Sequence, residues 1–234
     1  MNLHYFFRVV EDSQGPRVPL FIVVVFIGGL LLLVRYFNFA KLYACIGLLL
    51  QLTILGWYFK AGRLLSEGLP LYHCRIMLWL LSLGLLLEVR SRLIVWVSIL
   101  GITFSLPVLI VRDMDAYAFP HITGIYYFLG HGMIFLMATS YLRRYYIHLR
   151  IQDIMTYSIG CNLFIQLFNE LLGANYGYLH TLPLLGNDVS NHYAFVIVSM
   201  VIILLSIVVN HLLYLNRNYL HFPLLEANFP EAVR

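Results

Sequence analysis

Charge is what this chain has least of: only 11% of its 234 residues are Asp, Glu, Lys or Arg, against 61% that are hydrophobic. A soluble domain is usually about half apolar and about a quarter charged, so an ordinary water-soluble globule is excluded. Cysteine is scarce too. Cys45, Cys74 and Cys161 are too few, and odd in number, for a disulfide framework. Collagen-like sequence and disorder are excluded by the same composition, and the dyad alternation of a membrane β-barrel is missing. What is present is a series of long apolar runs, with a mean hydropathy of +0.83. This is the composition of a polytopic membrane protein.

The net charge of +4 does not point to nucleic acid, because the basic residues fall at the ends of the apolar runs and act there as topology determinants. About 20 apolar residues cross the hydrocarbon core. The runs between charges predict an all-α bundle of about seven transmembrane helices, near 18–36, 41–59, 70–88, 93–111, 122–142, 154–172 and 193–215. They form one integral membrane domain over 1–234. No small-residue cleavage site follows the first run, so it is expected to stay as a helix. The segment after Tyr214, mixed and Pro-bearing, reads as a short interfacial tail.

Seven crossings put the termini on opposite faces. One face carries Arg8, Arg17, Lys60, Arg63 and Arg112; the other carries Arg35, Lys41, Arg90, Arg92, Arg143, Arg144, Arg150, Arg217 and Arg234. The positive-inside bias then predicts a cell-membrane protein with its C-terminus cytoplasmic and its N-terminus outside. Arg17, abutting the first run on the outer side, runs against that bias.

Polar residues within the runs are expensive and so informative. In the sixth run Ser158, Asn162, Gln166, Asn169 and Glu170 recur every three or four residues and share one helical face. Such a stripe faces the bundle interior, where it forms interhelical hydrogen bonds or lines a cavity. In the third run Pro70 suits the first turn of a helix, which places Cys74 close to a helix N-terminus, where the dipole favours a thiolate. His73 and Arg75 flank it. The fifth run carries His121 at its mouth and His131 roughly 13–15 Å deeper, with Tyr127 on the same face as His131. Neutral histidine is the side chain suited to take a proton from a thiol near pH 7. All these features lie toward one side of the membrane, the outer half in the predicted orientation. Arg75 is expected either to pair with Glu170 or to bind a lipid phosphate.

Three segments carry a resemblance: LPLYHC (Leu69–Cys74), FPH…FLGHG (Phe119–Gly132) and N-x-x-x-G-x-N-Y (Asn169–Tyr176). In this order they resemble the YwaF-like bacterial integral membrane family, which includes the eukaryotic transmembrane protein 164 group. The resemblance implies a multi-pass lipid acyltransferase that moves an acyl chain from a phospholipid onto a lysophospholipid. It also implies a catalytic pair, matched here by Cys74 and His131. In the reaction expected, His131 deprotonates Cys74, a thioester acyl-enzyme forms, and a lysolipid hydroxyl resolves it. His73, Arg75, His121, Tyr127, Asn162, Gln166, Asn169, Glu170, Asn175 and Tyr176 are the expected substrate-binding or oxyanion residues. No metal, cofactor or coenzyme A is required by this scheme.

Two other classes suit parts of the pattern. A metal-dependent membrane lipid hydrolase would use His73, Cys74, His121 and His131 as ligands, although His121 and His131 lie ten apart with no H-x-x-x-H pair. A small-molecule transporter would also explain a polar stripe, but repeated halves are not visible.

Overall fold

The computed structural model describes residues 3–12, 18–182 and 191–216. Each of the seven apolar runs holds a helix, and no strand occurs among the described residues. After a single turn, α1 (Leu3–Phe6), come α2 (Leu20–Tyr36), α3 (Ala40–Lys60), α4 (His73–Leu86) and α5 (Arg92–Val111), then α6 (Ile122–Tyr145), α7 (Ile151–Leu172) and α8 (Asn191–Leu215). By length and composition α3, α5, α6 and α8 suffice to cross a membrane, while α2 and α4 are shorter apolar helices. The polar stripe lowers the hydropathy of α7 without shortening it. Arg17, Arg217, Arg234 and the expected interfacial tail lie outside the described residues.

One boundary differs in a way that matters. The third run was expected to be helical from Pro70, but α4 begins at His73 with Tyr72 as its N-cap. The chain ahead of it forms a π-helical turn, Leu64–Gly68, followed by a bend. The cause is tertiary. Leu69 and Leu71 pack into a separate apolar cluster with Ile165, Ala174, Tyr176 and Leu179. The backbone amide and carbonyl of Leu69 are also taken by side chains rather than by helical partners.

Helix α6 is the hub, packing against α2, α3, α4 and α5, while α8 packs on α5 and α7. Its contact with α5 is close because residue 101 is glycine: a Cβ there would lie 2.8 Å from the Ala138 Cβ. Around this crossing Trp96, Ile99, Ile134, Met137 and Tyr141 are fully buried. The outward faces of α2 and α8 keep Phe21, Val25, Leu204 and Leu212 exposed, as a lipid-facing surface requires.

Local signals set the ends. The Ser91 hydroxyl accepts from the Leu93 amide at 3.1 Å to cap α5. The Asp153 carboxylate accepts from the Arg150 amide at 3.2 Å at the start of α7. Helix α7 stops at Gly173, in the left-handed conformation with φ of 62°. On the face where α3 ends, Arg63 pairs with Glu11 and Arg8 with Asp12. On the opposite face Lys41 pairs with Glu88 at 2.8 Å and Arg92 with Asp153 at 2.6 Å.

Candidate functional site

Cys74 is the second residue of α4 and is half-buried. Across from it, nine residues into α6, lies the buried imidazole of His131, and the two side chains are within hydrogen-bonding reach of each other. The other side of the imidazole is held at 2.7 Å by the Tyr127 carbonyl oxygen, one turn back on the same helix. A carbonyl only accepts, so Nδ1 carries the proton and Nε2 is the nitrogen left to receive one. The Tyr127 ring lies 4.8 Å from the imidazole, centroid to centroid, and its hydroxyl donates to the Val108 carbonyl at 2.5 Å. The glycine after His131 serves packing: Phe26 and Leu30 of α2 close against Gly132.

The neighbours of Cys74 are fastened in turn. His73 Nε2 donates to Asn162 Oδ1 at 2.7 Å, and Asn162 Nδ2 donates to Ser199 Oγ at 2.8 Å, which ties α4, α7 and α8 together. Arg75 is buried with its guanidinium 4.6 Å from the Tyr58 ring centroid and 5.2 Å from that of Tyr72. Its Nη1 donates to the carbonyls of Glu67 at 2.5 Å and Leu69 at 3.2 Å. The expected Arg75–Glu170 pair is therefore not formed. Glu170 accepts from Gln166 Nε2 at 2.8 Å and lies 3.3 Å from His180, because α7 directs it toward its own following loop.

That loop carries the third motif. Asn169 grips Tyr176 at two points, donating to its carbonyl at 2.9 Å and accepting from its amide at 2.7 Å. Asn175 is spent inside the loop on His180 and Thr181. His121 goes to a different knot. It caps α6 by accepting from the Thr123 amide at 3.3 Å, and its Nε2 donates to the Arg8 carbonyl at 3.0 Å. Trp57 and Tyr117 enclose its ring, and this burial lowers its pKa. Glu67, in the turn ahead of α4, is pushed above the usual carboxylate range by burial, against the pull of Arg63. Among the described residues no three His, Cys, Asp or Glu side chains converge as a metal site would require.

Residues 13–210 match the TMEM164 family. The chain belongs to the TMEM164 family. The match takes in all three motifs, both Cys74 and His131, and every long helix but the last turns of α8. No curated protein and no solved structure matches the chain. Family membership alone assigns no reaction, so for this TMEM164 family protein the chemistry rests on the site.

Several residues around the site were not singled out from sequence. Tyr58, Tyr72 and Tyr126 surround Arg75, and Ser199 completes the His73–Asn162 chain. Gln51, fully buried in α3, accepts from the Tyr126 hydroxyl at 2.7 Å. Gln51 and Ser199 are polar residues within apolar runs, and that signal was available; the tyrosines look like any membrane aromatic until their partner is known.

Proposed function

We propose that this TMEM164 family protein is a phospholipid acyltransferase, a transacylase that moves an acyl chain from a phospholipid onto a lysophospholipid without coenzyme A. The observation that carries the reading is the meeting of Cys74 and His131 with the outer imidazole nitrogen already committed to Tyr127. This is the nucleophile, base and orienting group of covalent catalysis.

In the first half-reaction His131 Nε2 takes the Cys74 proton while sulfur attacks the donor ester carbonyl. The tetrahedral adduct collapses, the C–O bond breaks, and the departing lysolipid alkoxide takes the proton back from Nε2. An acyl thioester remains on Cys74. In the second half, Nε2 removes the proton from an acceptor lysolipid hydroxyl as its oxygen attacks the thioester. The C–S bond then breaks, and the thiolate recovers the proton. The Arg75 and Ile76 amides of the first turn of α4 donate to the Tyr72 carbonyl, which leaves those of His73 and Cys74 as the donors for the oxyanion. The half-buried position of Cys74 limits water, and so favours transfer over hydrolysis.

The same reading places the protein in the cell membrane with Cys74 toward the outer leaflet. Its support is the concentration of cations on the opposite face, where Arg35, Lys41, Arg90, Arg92, Arg143, Arg144 and Arg150 lie. Purified protein incubated with a phospholipid carrying a labelled acyl chain should show a thioester on Cys74 by mass spectrometry, discharged by added lysophospholipid. A Cys74→Ala protein of normal membrane level that still acylates lysolipid would end the proposal.

A further inference from the structure

The turn that leads into Cys74 is held by two side chains, one from the helix that follows it and one remote from it in sequence. From one side Arg75 Nη1 donates to the carbonyls of Glu67 and Leu69. From the other comes the hydroxyl of Tyr176, a residue with no exposed surface. It accepts from the Leu69 amide at 3.2 Å and donates to the Leu65 carbonyl at 3.0 Å, with the Leu64 carbonyl at 3.3 Å. A phenol hydroxyl has one proton, and this one is committed to backbone carbonyls while the oxygen accepts from a backbone amide, so it has no donor left for a ligand.

Tyr176 is itself fixed. The two bonds to Asn169 anchor its backbone to the end of α7. Its ring stands edge-on to Tyr72, the N-cap of α4, at 5.2 Å between centroids. The next residue, Gly177, has φ of +66°, and a Cβ there would come within 2.8 Å of His73 Cε1. The loop therefore seats on His73 while its tyrosine seats on the turn. Both residues flanking Cys74 are thus held by groups outside α4, while Cys74 is the one turned to His131.

We infer that the Tyr176 hydroxyl is a positioning residue for Cys74: through the Leu64–Leu69 turn it sets the sulfur against the His131 imidazole, and it does not contact substrate. The inference rests on Cys74 and His131 acting as a pair, but not on acyl transfer as the reaction. Arg75 belongs to the same frame, gripping the turn opposite to Tyr176.

The test is a kinetic cycle on the full chain in detergent, with Cys45 and Cys161 replaced by alanine so that Cys74 is the sole thiol. The rate of Cys74 alkylation by iodoacetamide at pH 7 is measured for the parent, Tyr176→Phe, His131→Ala and the double variant. Tyr176→Phe should slow alkylation about tenfold when His131 is present and change it less than twofold when His131 is absent, since a pair already broken has no alignment left to lose. Tyr178→Phe, whose hydroxyl meets Asp113 at 3.1 Å instead of the turn, should leave the rate unchanged. Equal slowing in both backgrounds, or none in either, overturns the inference. Should Tyr176→Phe fail to accumulate, Asn169→Ala, which removes both bonds to the Tyr176 backbone and leaves its hydroxyl in place, should give a smaller effect with the same dependence on His131. An alkylation cycle that behaves as expected in a protein with no acyl transfer would refute the proposed reaction and leave the positioning role standing.

Discussion

Cys74 and His131 meet although 57 residues separate them in the chain, one at the start of α4 and the other nine residues into α6. The imidazole is oriented by a carbonyl of its own helix, so the base is set within α6 and only the nucleophile needs bringing to it. The elements that bring it are the Leu64–Leu69 turn, the His73–Asn162–Ser199 chain and the loop bearing Tyr176. Four expectations follow from this arrangement and from the bundle that carries it.

Removing the base should silence the thiol without unfolding the protein. His131→Ala is expected to lower the rate of thioester formation on Cys74 by a factor of about 10² to 10⁴, the range for a positioned general base. Single-turnover acylation with labelled phospholipid measures it. A rate within threefold of the parent would exclude His131 as base.

Breaking the chain behind His73 should weaken the helix association. Asn162→Leu leaves His73 Nε2 and Ser199 without their partner, and a cost of about 1–2 kcal/mol is expected in detergent. Adding Ser199→Ala to Asn162→Leu should cost less than the two changes summed, because the same bond is lost in both. Thermal unfolding of the three variants checks this, and strict additivity would count against the chain.

Widening the α5–α6 crossing should cost more. At Gly101 a Cβ already meets Ala138 at 2.8 Å and the Ile134 side chain at 3.1 Å, so valine forces the helices apart. Gly101→Val is expected to destabilise by about 1–3 kcal/mol, the range for overpacking. Gly56→Val, at a position with nothing within 4 Å, should be close to neutral.

Acid should loosen the N-terminal segment first. Burial holds His121 below the ordinary histidine value, so between that value and its folded pKa the unfolded state binds more protons. The sign is a contribution to stability that is complete above about pH 6.5 and lost as pH falls through the folded pKa. Asp12, depressed by its hydrogen bond to Arg8, follows the same sign: its contribution is complete above the ordinary carboxylate range and fails below it, so its loss comes at lower pH. The protection of residues 3–12 against hydrogen exchange, taken relative to the intrinsic exchange rate at each pH, should therefore fall on going from pH 7 to pH 5, and His121→Asn, which keeps a capping oxygen but does not titrate, should remove that fall.

How much of this was legible beforehand can be followed residue by residue. The seven helices were, because an apolar run bounded by Lys or Arg has few alternatives in a bilayer, where every backbone group must be satisfied within the segment. Ser158, Asn162 and Asn169 were legible as an inward face, since a 3.6-residue period shows in one strand of text. Their partners were not. The period says which way Asn162 points; it does not say that His73 and Ser199 will be there. Arg75 and Glu170 share a depth and opposite charges, and still do not pair, because α7 turns Glu170 toward Gln166 and His180 while the Leu64–Leu69 backbone takes up Arg75. His121 stands in the same motif as His131 yet serves as a cap and a latch on Arg8.

The sequence by itself determined that the chain is a helical membrane protein, roughly where each helix lies, and that a cysteine and a histidine on the same side of the membrane carry the chemistry worth testing. The first two follow from local transfer free energy and helical period, which act on neighbouring residues; the cysteine and the histidine are singled out by the resemblance of their motifs to a known family. Only the tertiary structure decided that α4 starts at His73 and not at Pro70, that Tyr176 and Arg75 share one turn, and that the sulfur of Cys74 comes to face His131. Those outcomes depend on which orphan backbone groups and buried polar atoms find partners across the bundle, and such partners are distant in the chain and adjacent only once it has folded.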